Sequence, residues 1–190
     1  MLIWYLARAA GLAAFLSLSV ATGVGAYTSR RTTDPAARVV WQYVHRAAAL
    51  SGVVLLVLHI VTILADAYAD VGLSGLLPFG SGYRPLAVTL GVLSLYAVAA
   101  VWVTGVLRTQ MSGSPGSAGL WRRIHLLSYG AWLLAAGHFL LVGSDTGQWW
   151  ALATLAGGTA AVAAGITARL SDRGPTITRT GTAAPNAAGR

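Results

Sequence analysis

The sequence predicts an all-α protein, a polytopic bundle of about five transmembrane helices. Three observations carry that prediction. Five apolar runs each approach or exceed the ~20 residues that an α-helix needs to cross the hydrocarbon core of a bilayer. Only 9% of the 190 residues are charged while 56% are hydrophobic, and the mean hydropathy is +0.66, outside the ordinary range of soluble domains. Short clusters of turn-forming residues lie at each junction between the runs.

In chain order, the expected spans are Leu2 to Ala26, Val39 to Ala65, Pro85 to Leu107, Trp121 to Val142 and Trp149 to Thr167. The first junction is the polar run Thr28 to Asp34 followed by Pro35. The second carries Pro78, Gly80 and Gly82 ahead of Pro85, and the third contains the run Ser112 to Ser117. The fourth is Gly143 to Gln148. Residues 1–170 are expected to form one membrane domain. Residues 171–190, rich in Thr, Gly, Ala and Pro without apolar periodicity, are expected to form a disordered cytoplasmic tail. The first apolar stretch is long for the core of a cleaved signal peptide and includes Arg8, so a retained helix is favoured. Simple inspection reveals no internal repeat, although the second and fourth spans each carry two histidines at similar spacing.

All 13 basic residues are arginine, the five acids are all aspartate, and the formal net charge is +8. These arginines cluster between apolar runs instead of along one soluble face, so nucleic acid is not an expected partner. Membrane lipid is. Arginine bias places the first and third junctions and the tail on the cytoplasmic side of the cell membrane, with the amino terminus outside and the carboxyl terminus inside. The chain has no cysteine, which excludes disulfides, thiolate metal sites and dithiol redox chemistry.

The four histidines all lie within expected spans: His45 and His59 on the second, His125 and His138 on the fourth. Ionisable residues at membrane depth are expensive and mark pathways, relays or ligands. A step of 14 residues rises about 21 Å along a helix and one of 13 about 19.5 Å, so two histidines on one helix cannot share a metal. The two spans run in the same direction, which pairs His45 with His125 at one depth and His59 with His138 at another. Two imidazoles per level suit the axial positions of a haem iron. Zinc and non-haem iron normally need three or four protein ligands, and no cysteine, glutamate or mid-span aspartate completes either pair. Thirteen residues leave the second histidine about 140° from the face of the first. The fourth span therefore needs tilt, rotation or distortion, for which Gly130 and Gly137 are candidate points.

The segments Tyr43-Val44-His45-Arg46 with Leu58-His59-Ile60, and Trp121-Arg122-Arg123-Ile124-His125 with Gly137-His138-Phe139, resemble the ferric reductase-like transmembrane family. That family includes the membrane portions of NADPH oxidases and the haem subunit of a bacterial methionine sulfoxide reductase system. The resemblance spans roughly residues 2–167. It implies two b-type haems stacked across the membrane on the four histidines, and transmembrane electron transfer to an extracytoplasmic acceptor whose identity it leaves open. Many members have six helices and a carboxyl-terminal domain binding flavin and NAD(P)H. This chain shows five and a short tail, so a separate electron-donor protein or domain is expected, and whether the chain is itself an enzyme stays open.

Arg46, Arg122 and Arg123 flank the His45/His125 level, where they either pair with haem propionates or serve as ordinary cytoplasmic anchors. Asp66, Asp70 and Asp145 read as solvated helix ends, ahead of a role in attracting a ferric substrate. Trp102, Trp132, Tyr96 and Tyr129 read as core packing ahead of contact with porphyrin. The rival to electron transfer is a non-catalytic membrane subunit whose histidines serve packing or partner binding.

Overall fold

The computed structural model describes residues 1–28, 34–67, 71–111, 113–143 and 145–171. The tail expected to be disordered, apart from Ser171, lies outside the described residues, as do Asp70, Arg30 and Arg31. The chain forms α1 (Leu2–Thr28), α2 (Pro35–Leu64), a 3₁₀ turn (Leu73–Leu76), α3 (Pro85–Val106), α4 (Arg108–Met111), α5 (Pro115–His125), α6 (Leu127–Val142) and α7 (Trp149–Ser171). Among the described residues there is no strand. Five helical segments are long and apolar enough to cross a membrane, with α5 and α6 together making one of them (Pro115–Val142).

Two helices begin earlier than hydropathy alone places them, because their caps lie in polar sequence. The Asp34 carboxylate accepts from the Ala36 and Ala37 N–H groups at 3.0 and 3.3 Å, with Pro35 at the first helical position. Ser114 Oγ likewise accepts from Ser117 N–H at 3.3 Å, followed by Pro115. Each cap satisfies donors that a helix start leaves orphaned, and proline there gives up an N–H that had no partner.

α1 is the hub. In its most apolar stretch 39% of residues are buried, against 6% in the corresponding stretches of α2 and of α5–α6. Apart from Phe15 its buried positions are small, namely Ala7, Ala10, Ala14, Ser19, Ala21, Gly23 and Ala26, which lets α2 and α7 pack against it. Without a hydrophobic drive between helices in lipid, such close approach supplies the packing that holds them together. The tightest approach is to α7, where a Cβ at Gly165 would lie 2.7 Å from the Gly23 carbonyl carbon and one at Gly158 would lie 2.6 Å from Phe15. α3 packs against α5 and α6 to form a second unit. The two units meet through α1 and α6. Trp132 Nε1–H donates to Ser19 Oγ at 2.9 Å, Ser19 donates to the Phe15 carbonyl at 2.7 Å, and Phe15 lies against Trp132 and Phe139 with ring centroids 6.1 and 5.6 Å away. Trp132 is therefore a packing residue. By contrast α2 makes at most sparse backbone contact with α5 or α6, and the two histidine-bearing segments face each other across a gap.

If backbone contact at Gly23 and Gly165 holds α7 in place, Gly165→Leu lowers the unfolding free energy of the detergent-solubilised protein by about 2 kcal/mol. Gly130→Leu, on an open surface with nothing within 4 Å of the added carbon, changes it by less than about 0.5 kcal/mol. Denaturant titration followed by circular dichroism measures both.

Candidate functional site

The gap between α2 and α5–α6 holds all four histidines. His45 faces His125 with ring centroids 6.2 Å apart and planes 60° apart. His59 faces His138 at 6.4 Å and 78°. First meets first and second meets second, so α2 and α5–α6 run parallel, with two levels of paired imidazoles along them.

Three of the four rings are held in the same way. The Nδ1–H groups of His45, His59 and His138 donate to the backbone carbonyls of Ala21, Ala7 and Ala87, each at 2.8 Å. A carbonyl oxygen only accepts, so Nδ1 carries the proton and Nε2 of the neutral ring keeps its lone pair. One helical turn beyond each accepting carbonyl is a glycine: Gly25, Gly11 and Gly91. A Cβ at these glycines would lie 3.1 Å from His45 Cε1, 2.9 Å from His59 Nδ1 and 2.7 Å from His138 Nδ1. The imidazole thus lies where a side chain one turn along would stand, and only glycine leaves that space. His125 is the exception. Its Nδ1 is buried without a hydrogen-bond partner among the described residues, and its ring stacks on Trp121 at 5.1 Å; the Arg108 guanidinium also lies 5.1 Å from a Trp121 ring centroid.

The distortion expected of the fourth span falls at neither Gly130 nor Gly137. α5 ends at His125 and α6 begins at Leu127, with Leu126 between them. There Tyr129 N–H bonds the Leu126 carbonyl at 3.2 Å, a tight i→i+3 link. A 3₁₀ turn advances about 2.0 Å and 120° per residue. Three such residues within a 13-residue step bring its rise to about 21 Å, equal to that of 14 α-helical residues, and recover about 60° of the missing rotation. A local overwinding thereby lets the shorter histidine spacing on one side match the longer spacing on the other.

Around the His59/His138 level lies a cavity of about 240 Å³, lined among others by Gly11, Gly91, both histidines, Arg8 and Asp145. Arg8 and Asp145 form an ion pair, and the Arg8 guanidinium lies 5.7 to 5.9 Å from the ring centroids of Trp4, Tyr5 and Trp150. Asp145 is therefore a paired group and Asp66 is buried, so neither is the solvated helix end expected of it. Arg46, Arg122 and Arg123 lie on the helices carrying His45 and His125 and are exposed. Tyr96 donates to the Leu76 carbonyl and Tyr129 accepts from Arg169 at 3.4 Å.

The glycine seats reveal a repeat that inspection for similar residues does not. Gly11 and Gly91, Gly25 and Gly105, Asp34 and Ser114 (the caps), Pro35 and Pro115, Trp41 and Trp121, and His45 and His125 are all related by one constant offset along the chain. His59 and His138 fall one residue short of it, the deficit lying in the half that contains the Leu126 break. Residues 41–50 and 121–130 also share one order of exposed and half-buried positions. The α1–α2 hairpin and the unit from α3 to α6 thus share one pattern, with glycines on the first membrane span of each and histidines on the second. The chain matches no known family profile, no curated protein and no solved structure.

Filling a seat should expel its ring. Gly11→Leu and Gly91→Leu are each expected to lower the unfolding free energy by about 2 to 3 kcal/mol, combining overpacking with a lost buried hydrogen bond. A cost equal to that of Gly130→Leu in the same denaturant titration would show that the histidines do not depend on the glycines.

Proposed function

We propose that the chain binds two b-type haems, one at His45/His125 and one at His59/His138, and conducts electrons between the two sides of a cell membrane. The spacing of the paired rings carries the reading. Two imidazoles bonded through Nε2 to one metal at about 2.0 Å per bond have ring centres roughly 6.3 Å apart, against 6.4 Å at the His59/His138 level, where both rings are anchored, and 6.2 Å at the His45/His125 level, where the His125 ring is not yet anchored. Three rings are fixed in the tautomer that leaves Nε2 free, the usual outer-shell arrangement of a ligating histidine.

A haem supplies reversible one-electron chemistry when bound. The chain's part is to hold the imidazoles by their Nδ1 atoms, to surround them with apolar helix faces, and to set the two levels about 21 Å apart along the helices. Arg8 is the cation nearest the His59/His138 cavity and is suited to pair with a carboxylate there. The resemblance to ferric reductase-like membrane domains and the arginine bias suggest the direction: from a separate cytoplasmic donor, through the His45/His125 level, to an extracytoplasmic acceptor at the His59/His138 level.

A second reading has its own support. The three histidine-to-carbonyl bonds staple α2 to α1 and α6 to α3, and a purely structural subunit needs nothing more. The reduced-minus-oxidised visible spectrum of the purified protein separates the two, with haem quantified per chain. Two low-spin b haems are expected, and no haem after expression with adequate supply would leave the structural reading. His59→Ala and His138→Ala should each lose one and the same haem, while His45→Ala and His125→Ala lose the other. Arg8→Gln should shift the midpoint potential of the His59/His138 haem to more negative values, because removing a cation and leaving Asp145 favours the oxidised form. An unchanged potential would remove Arg8 from the site.

A further inference from the structure

We propose that Gly105 and the Val101 carbonyl of α3 are the fourth histidine seat: when the His45/His125 level binds its metal, His125 docks there with Nδ1–H donating to Val101. This rests on the haem reading above. Three observations converge on it.

The first is the repeat. The seat of His45 consists of the Ala21 carbonyl and Gly25, and the repeat offset carries these two positions onto Val101 and Gly105. The same offset carries His45 onto His125, so ring, carbonyl and glycine move together. On α3, Gly91 is already a seat, for His138, and Gly105 follows it at the spacing by which Gly25 follows Gly11. The second is that the seat is open. A Cβ at Gly105 would meet nothing within 4 Å, so no packing in the present arrangement accounts for a glycine there. The third is that the intended occupant is unsatisfied, since His125 Nδ1 is buried without a partner among the described residues.

The local structure shows what must rearrange. α1 continues past Gly25 to Thr28, whereas α3 ends directly after Gly105, at Val106. His125 is the last residue of α5 and lies beside the Leu126 break. Thr104 Oγ1 now donates to Ala100 O at 2.8 Å and to Val101 O at 3.1 Å, and the shorter bond can persist while the Val101 carbonyl accepts the imidazole. Docking satisfies Nδ1, fixes the tautomer and turns Nε2 toward His45. It requires the ring to leave its stack on Trp121, a movement the break beside it permits.

Gly105 is thus a positioning residue, and its replacement should act on one haem only. In the full chain, Gly105→Leu is expected to reduce haem from two per chain to one. In a His59→Ala background, which holds only the His45/His125 haem, it should abolish binding, and in a His45→Ala background it should leave the remaining haem and its spectrum unchanged. Gly105→Ala should keep both haems but alter the low-temperature electron paramagnetic resonance signal of the His45/His125 haem, because a tilted His125 changes the angle between the ligand planes. Should Gly105→Leu lose both haems through misfolding, that resonance shift decides instead. Gly130→Leu serves as control. Two haems with unchanged spectra in both Gly105 variants would overturn the seat while leaving the haem reading intact. A wild-type protein without haem would overturn both, so the two failures are distinguishable.

Discussion

An imidazole inside a lipid-facing bundle has two nitrogens and no water to satisfy them, and the architecture follows from how that demand is divided. Each exposed polar group left unpaired in hydrocarbon costs several kcal/mol, on the order of the stability of a small domain. In this chain one nitrogen of His45, His59 and His138 is assigned to a backbone carbonyl of the preceding helix of the same hairpin. That carbonyl is already the acceptor of its own helical bond, and its second lone pair becomes the anchor. The ring must then lie flat along the neighbouring helix, and a glycine one turn on is the geometric consequence. Histidine and glycine form a single unit divided between two helices.

The division of residue types among the helices follows from the same unit. α1 contributes carbonyls, glycines and small buried side chains, so it is central, and both α2 and α7 close on it. α2, α5 and α6 contribute imidazoles that pair ring to ring across the gap, so their own backbones stand apart. A bundle that packed α2 directly on α6 would bury more apolar surface but leave no room between the rings. The Ser19, Phe15, Trp132 and Phe139 cluster joins the two halves through α1 and α6 and preserves that separation. It runs from the middle of the bundle to the wall of the His59/His138 cavity, which Phe15 and Phe139 line without filling.

Much of this was legible in the sequence, and the rest was hidden for identifiable reasons. Five spans follow from hydropathy because a bilayer imposes a length, and the pairing of His45 with His125 and His59 with His138 followed from direction and depth, as the ring distances now display. The caps at Asp34 and Ser114 lay in polar runs that hydropathy assigns to loops, so both helices began earlier than expected. The glycines were unreadable as seats because glycine is common in membrane helices for packing alone, and only the ring above it distinguishes Gly11 from Gly130. The pattern shared by the two halves is hidden for a related reason. What recurs is a handful of positions set by backbone geometry, while the intervening apolar residues are interchangeable to lipid and differ between the halves. Asp145 gave no sign of its partner, because Arg8 is far away in sequence and a charge near a helix end is ordinarily solvated.

The one-residue difference between the two histidine spacings has a larger effect than its size suggests. Removing one residue from a helix displaces everything beyond it by about 100° and about 1.5 Å, enough to turn His138 out of the gap that His59 faces. A compensating tight turn restores rise and most of the rotation, but it must interrupt the α-helical bond ladder where it falls. Here it falls at Leu126, directly after the one histidine that lacks a carbonyl, and not at either nearby glycine. Had it fallen nearer His138, the well-seated pair around the cavity would have carried the irregularity. The cost of the missing residue is thereby confined to the His45/His125 level, and the regular geometry of the His59/His138 level is kept.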